Sequence, residues 1–143
     1  MNLEPEIWGP HFWLTLHFIS STYSNSPNQS VKSAMKSFIQ TLPMFLPCKE
    51  CQDHAFQYIK KSNLNKIVQN RKELFTFFFN FHNNVNQRLN KPLMTIENSL
   101  IKYHIPKEEH HLYSHLKTMD NLGTIRWNFL LLIVGILVIV LVR

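Results

Sequence analysis

Residues 71–89 carry the pattern that leaves the fewest options for the fold. Leu74, Phe75, Phe78, Phe79, His82, Val85 and Leu89 recur at helical spacing, and Phe77 and Phe81 widen the stripe. A helix this aromatic has to be buried on more than one face. Other elements must wrap it, and Asn90-Lys91-Pro92 marks where it stops.

The rest of the chain offers helices to do the wrapping. A first helix is expected over 8–23, with Pro10 in its first turn and a break at Ser24-Asn25-Ser26-Pro27-Asn28. A second is expected over 30–42, where Val31, Ala34, Met35, Phe38, Ile39 and Leu42 keep helical spacing. Residues 43–47 are apolar and proline-stiffened, so they should pack down. A third helix should run from Pro47/Cys48 to Lys61, and a short fifth over 95–103 behind Thr95 as N-cap. No strand alternation appears, and 3 glycines argue against a turn-rich β fold or a phosphate loop. A chain of 143 residues is one domain's worth. The expected fold is all-α: a four-helix bundle with a short fifth helix, plus a C-terminal transmembrane helix.

That last helix is read from 125–142, an apolar segment bracketed by Arg126 and Arg143. From Trp127 to Val142 it spans about 24 Å, slightly under the ~30 Å hydrocarbon core, a gap that snorkelling arginines can close. Residues 104–124 then read as a polar, His-rich linker, and 1–103 as the working domain. The acidic start Met1–Glu6 reads as no signal peptide. The expected placement is a single-pass, C-terminally anchored protein of a host or virion membrane, its domain facing the cytosol. The net charge of +6 is scattered, with no dense basic run among aromatics, so no nucleic-acid partner is expected.

The only two cysteines are Cys48 and Cys51. Their spacing puts both on the first turn of a helix, near enough for a reducible disulfide, where the helix N-terminus favours thiolate. The chemistry is redox or metal binding. Zinc would need two more donors, such as His54 and His82 or the run His104, His110, His111 and His115, and no second Cys-x-x-Cys supports it. Without strands, a thioredoxin-like setting does not fit. On the fourth helix His82, Asn83, Asn86 and Asn90 share one side, either as a solvent face or as ligand contacts. On the first, Trp13 and His17 share a face, as core residues or as part of a site for a flat, polar aromatic ligand.

Taken together, these motifs resemble the Erv/ALR family of FAD-linked sulfhydryl oxidases, a small viral-type member in particular. The resemblance rests on a WGxxxWxxxH signature (Trp8, Gly9, Trp13, His17), on Cys48-x-x-Cys51, and on an HNxVNxRLxK signature (His82, Asn83, Val85, Asn86, Arg88, Leu89, Lys91). It implies a FAD-binding helical bundle that oxidises protein thiols to disulfides while O2 becomes H2O2. It implies that Cys51 faces the flavin and Cys48 meets substrate. Trp13, His17, His82 and Asn86 match adenine contacts, Arg88 and Lys91 lie near the pyrophosphate, and His54 and Tyr58 border the flavin. Trp8, Gly9, Asn83 and Leu89 are carried as cofactor residues through the signatures. The family's second, shuttle cysteine pair has no counterpart, so a thiol-bearing protein or a small thioredoxin-like relay must reduce Cys48–Cys51 directly. A homodimer must rest on packing of the first two helices. The competing reading is a non-enzymatic, membrane-anchored adaptor with a Cys/His zinc site.

Overall fold

A computed structural model describes residues 3–114 and 116. Its centre is helix α5, Arg71–Arg88, begun by Asn70, whose side chain accepts from the Glu73 N–H. Leu74, Phe75 and Phe78 are completely buried, and Phe77, Phe79 and Phe81 nearly so. Burial therefore runs around the helix and not along one stripe, as its aromatic content requires. α5 ends where Asn90 adopts a left-handed φ of 53°. The Asn90 N–H returns to Gln87 O and the Lys91 N–H to Asn86 O, a Schellman close that asparagine tolerates. Pro92 then bars continuation.

Helix α1, Pro5–Ser21, packs along α5. It begins three residues before the expected start, with Pro5 in the first turn and Pro10 inside the helix. The early start has a tertiary cause. Leu3 donates its N–H to Pro47 O, and the Trp8 indole Nε1–H donates to Leu3 O, which holds the entering chain in place. Asn28 caps α2, Gln29–Thr41. The stiff segment after it forms a 3-10 helix, Leu42–Phe45, which leads into α3, Lys49–Lys60. A one-turn helix α4, Leu64–Ile67, capped by Asn63, was not expected. Thr95 caps α6, Ile96–Lys102, as its sequence suggests. The core gathers Leu16, Ile39, Leu42, Ala55, Ile59 and Leu74 with Phe77, Phe78 and Phe81 of α5.

The fold-class expectation needs correction. Among the described residues there are six α-helices and two 3-10 helices, not four helices and a fifth. No described helix is long and apolar enough to cross a membrane. The expected transmembrane segment 125–142 lies outside the described residues, so the described structure gives no support to a C-terminal anchor. The cytosol-facing, single-pass localisation drawn from that segment falls with it. A compact-unit boundary falls between Ile105 and Pro106. Beyond it, part of the expected linker is a 3-10 helix, Lys107–Tyr113, in which Tyr113 is buried.

Candidate functional site

Helices α1, α3 and α5, the end of α6 and the 3-10 segment with Leu42 and Leu46 close around a cavity of about 620 Å³, inside the range of about 300–1,000 Å³ that holds small molecules and cofactors. α1 contributes Trp8, Gly9 and Trp13 to the wall, α3 contributes Cys51, His54 and Ala55, and α5 contributes Phe81, His82, Val85 and Asn86. Arg88, Leu89 and Lys91 follow at the end of α5, and Lys102 and Tyr103 come from the end of α6. The helical repeat explains the α5 set: residues 82, 85, 86 and 89 share one face.

Cys48 is the N-cap of α3, and its Sγ accepts from the Cys51 N–H at 3.3 Å. A disulfide joins Cys48 to Cys51, with Cα atoms 5.1 Å apart. Both cysteines are half-buried, but only Cys51 lines the cavity. The two sulfurs thus have different surroundings. One belongs to the cavity wall, and the other caps the helix outside it.

At the far wall the rings form two stacked pairs. Trp13 stacks on His82 with centroids 4.2 Å apart, and His17 stacks on Tyr103 at 3.9 Å. His17 Nε2 and His82 Nδ1, 3.1 Å apart, link the pairs. Burial, then the neighbouring His82 and Lys102, pushes His17 down to about 3, and burial with Lys102 pushes His82 down to about 4. Both are neutral near pH 7, so their bond has one proton. His17 Nδ1 is buried with no hydrogen-bond partner. A bare lone pair there costs less than an orphaned N–H. The favoured arrangement has His17 Nε2–H donating to His82 Nδ1, which leaves His82 with its Nε2–H as a donor.

Cations collect at the α5 end of the cavity. Arg88 pairs with Glu50, which lies between the two cysteines in sequence, and Lys91 pairs with Glu6 at 3.6 Å. His54 is pushed below its ordinary value chiefly by burial and then by Arg88. Burial raises Tyr58 to about 12, so its hydroxyl stays protonated.

Of the residues singled out in the sequence, Trp8, Gly9, Trp13, Cys51, His54, His82, Asn86, Arg88, Leu89 and Lys91 come together on the cavity wall. His17, Tyr58, Asn83 and Cys48 do not line it. His17 lies against His82 and Tyr103, and Tyr58 stacks on Phe81 at 4.6 Å. The Asn83 amide holds both polar groups of Met94, accepting from its N–H and donating to its C=O at 2.8 Å each. Lys102 and Tyr103 were not anticipated. Their only sequence signal was a place at the end of an amphipathic segment. Phe81 read merely as packing.

A fit to a large, flat, anionic cofactor can be tested on these walls. Trp8, Trp13 and Tyr103 are aromatic, and Arg88, Lys91 and Lys102 are cationic. Gly9 stands in the second turn of α1, and beyond its own neighbours and helix backbone nothing lies within 4 Å of where a Cβ would sit. Glycine there costs helix stability of up to about 1 kcal/mol relative to alanine, and protein packing does not require it. The open space suits a ligand approaching the backbone. The adaptor alternative finds little here: the cysteines are joined to each other, and no group of three or more His, Cys, Asp or Glu positioned to hold a metal occurs among the described residues.

The sequence pattern of the Erv1 / Alr family matches residues 10–106. The chain is 46% identical over 106 residues to the putative FAD-linked sulfhydryl oxidase 096R of Invertebrate iridescent virus 3, covering 74% of this chain and 72% of that protein. It is 40% identical over 89 residues to the FAD-linked sulfhydryl oxidase of African swine fever virus (isolate Pig/Kenya/KEN-50/1950), covering 62% of this chain and 72% of the relative. The crystal structure of the FAD-binding domain of Erv1 from Saccharomyces cerevisiae superposes with a TM-score of 0.66 at 26% identity, covering 71% of this chain and 95% of that one.

Proposed function

The chain belongs to the Erv1 / Alr family and is an FAD-linked sulfhydryl oxidase, and we propose that Cys51 is the sulfur turned toward its cofactor while Cys48 meets the substrate. The observation that carries this division is that Cys51 lines the cavity and Cys48 does not.

A substrate thiolate attacks Cys48 Sγ along the S–S axis. The Cys48–Cys51 bond breaks as the mixed disulfide forms, and Cys51 Sγ leaves as a thiolate at the cavity wall. The first turn of α3 supplies N–H groups and positive dipole charge that favour the anion. A second substrate thiolate attacks the substrate sulfur of the mixed disulfide and releases Cys48. Two substrate thiols become one disulfide, and their two electrons and two protons pass to the Cys48/Cys51 pair as a dithiol. Bound FAD supplies the acceptor for that electron pair and the means of passing it to O2, giving H2O2.

The remaining residues hold the group. Trp13, His17, His82 and Asn86 form the adenine end, with the His82 Nε2–H as donor and His17 acting from behind it. Arg88 and Lys91 serve the pyrophosphate, joined by Lys102. His54 and Cys51 border the flavin, with Tyr58 behind Phe81. Trp8, Gly9 and Leu89 shape the walls, and Asn83 holds the loop that follows α5. The 143 residues hold no other cysteine, which supports entry of electrons at Cys48 from a protein thiol or from a small thioredoxin-like relay. A homodimer is supported by exposed Ile7, Leu14 and Phe18, which share one face of α1.

The test is a flavin spectrum with oxygen uptake on dithiothreitol. The wild type is yellow and consumes oxygen. Cys51→Ser and Cys48→Ser keep the yellow colour and lose turnover. A colourless folded protein, or uptake that survives Cys51→Ser, defeats the reading.

A further inference from the structure

The segment that leads into Cys48 carries the most exposed apolar pair among the described residues, although its sequence predicts that it packs down. The 3-10 helix Leu42–Phe45 buries Leu42 and Pro43, and Leu46 after it joins the cavity wall. Between them Met44 and Phe45 stand 72% and 74% exposed. They are the most exposed large apolar side chains among the described residues. They are also held there. Leu46 N–H donates to Pro43 O, Gln52 Nε2 donates to Leu46 O, Leu3 N–H donates to Pro47 O, and Gln52 N–H donates to Cys48 O. A segment tied at each of these points presents its side chains and does not fold them under. Nearby charges are already matched, Lys49 with Asp53 at 2.8 Å and Glu50 with Arg88. What approaches Cys48 therefore meets an apolar lip with little unbalanced charge beside it.

We propose that Met44 and Phe45 form the docking lip for the thiol substrate, selecting cysteines whose near neighbours in sequence are apolar. The inference rests on Cys48 being the sulfur that substrate attacks. The occupant follows from that chemistry, because a thiolate aimed at Cys48 Sγ brings its own chain across the adjoining surface. Phe45 precedes Cys48 by three residues, a reach of about 10 Å in extended chain. The matching apolar side chain lies within about three residues of the substrate cysteine by the same measure. Methionine beside an aromatic ring gives a surface that adapts to many side chains of one class. Such cysteines belong to segments that become buried once folded, so the preferred substrate is a chain that has not finished folding.

The test uses the full chain with FAD bound and follows oxygen uptake. The probes are dithiothreitol, a cysteine peptide flanked by Leu and Phe, and the same peptide flanked by Ser and Gly. The wild type should show kcat/KM about tenfold higher for the apolar-flanked peptide, the order expected when one apolar side chain is covered. The double variant Met44→Ser/Phe45→Ser should lose that preference through a higher KM, with its dithiothreitol rate and flavin absorbance unchanged. Equal use of both peptides by the wild type overturns the proposal. So does a variant that slows dithiothreitol and both peptides alike, or one that changes only the sedimentation of the protein, which would reassign the lip to contact between copies. No uptake with dithiothreitol in the wild type would instead defeat the oxidase reading on which the proposal stands.

Discussion

His17 Nε2 lies 3.1 Å from His82 Nδ1, so a single hydrogen bond joins α1 to α5 across 65 residues of sequence. Each ring is also stacked on a larger neighbour, His82 on Trp13 and His17 on Tyr103. The bond thus fastens three helices, since Tyr103 follows α6 directly. It needs at least one neutral imidazole, because two imidazoliums have no acceptor between them, and burial disfavours charge on either ring.

Acid should therefore loosen this end of the bundle. In the unfolded chain both histidines titrate near 6.5, whereas folded they titrate near 3 and 4. Between those values the unfolded state binds more protons, so stability rises with pH. The contribution is complete above about pH 6.5 and is lost as pH falls toward 4. The slope approaches about 1.4 kcal/mol per pH unit for each histidine at most, and less for the half-buried His82. Urea unfolding of the FAD-free protein at pH 7, 6 and 5 measures it. His82→Phe keeps a ring against Trp13 and should flatten the slope. Equal stability at pH 7 and 5 would contradict the assignment.

How much of this was readable beforehand differs from place to place. α5 was plain because phenylalanines at every turn admit only a buried helix, and Thr95 and Asn90-Lys91-Pro92 are local signals that act locally. Trp13 with His17, and His82 with Asn86, were legible because each pair lies one turn apart on its helix, whereas Trp8, Gly9, Arg88, Leu89 and Lys91 were reached only through the family resemblance. Lys102 and Tyr103 escaped because their place beside His17 depends on how α6 returns across the bundle, which no spacing encodes. The early start of α1 escaped for the same reason, as it is set by the Leu3–Pro47 and Trp8–Leu3 bonds. Asn83 was legible as a polar residue needing a partner. Nothing local says that the partner is the Met94 backbone, 11 residues away.

Asn83 leads to a second expectation. Its amide makes two 2.8 Å bonds to Met94 and so holds the loop carrying Lys91. Asn83→Ala leaves a part-buried N–H and C=O without that partner, at a cost of about 1–3 kcal/mol. The urea midpoint of the FAD-free protein should fall accordingly, and hydrogen exchange at the Met94 amide should quicken. An unchanged Met94 amide would mean the loop is held by something else.

Gly9 separates folding from cofactor binding. Open space around its missing Cβ means Gly9→Ala should stabilise FAD-free α1 by up to about 1 kcal/mol. Gly9→Leu keeps the helix but fills part of the cavity. It should release FAD about tenfold more readily, the equivalent of roughly 1.4 kcal/mol. Thermal melting without FAD and flavin fluorescence on dilution read the two effects separately. A Gly9→Leu protein that retains FAD normally would remove Gly9 from the cavity's working wall.

Lys91 offers the sharpest division between an ion pair and a ligand contact. Its partner Glu6 stands 3.6 Å away, with both side chains about half exposed or more. Solvent screening leaves such a pair worth roughly 0.5 kcal/mol or less. Lys91→Gln should therefore leave the FAD-free melting temperature almost unmoved. If Lys91 faces the pyrophosphate, the same change removes one cation from a doubly anionic group and weakens FAD retention about tenfold at low ionic strength. The loss should shrink as salt rises, because screening already weakens the wild-type contact. Glu6→Gln supplies the control: it breaks the same ion pair but frees Lys91, so FAD should bind at least as tightly as before. Equal losses of FAD from both variants would show that the pair matters for shape alone and that Lys91 does not meet the phosphates.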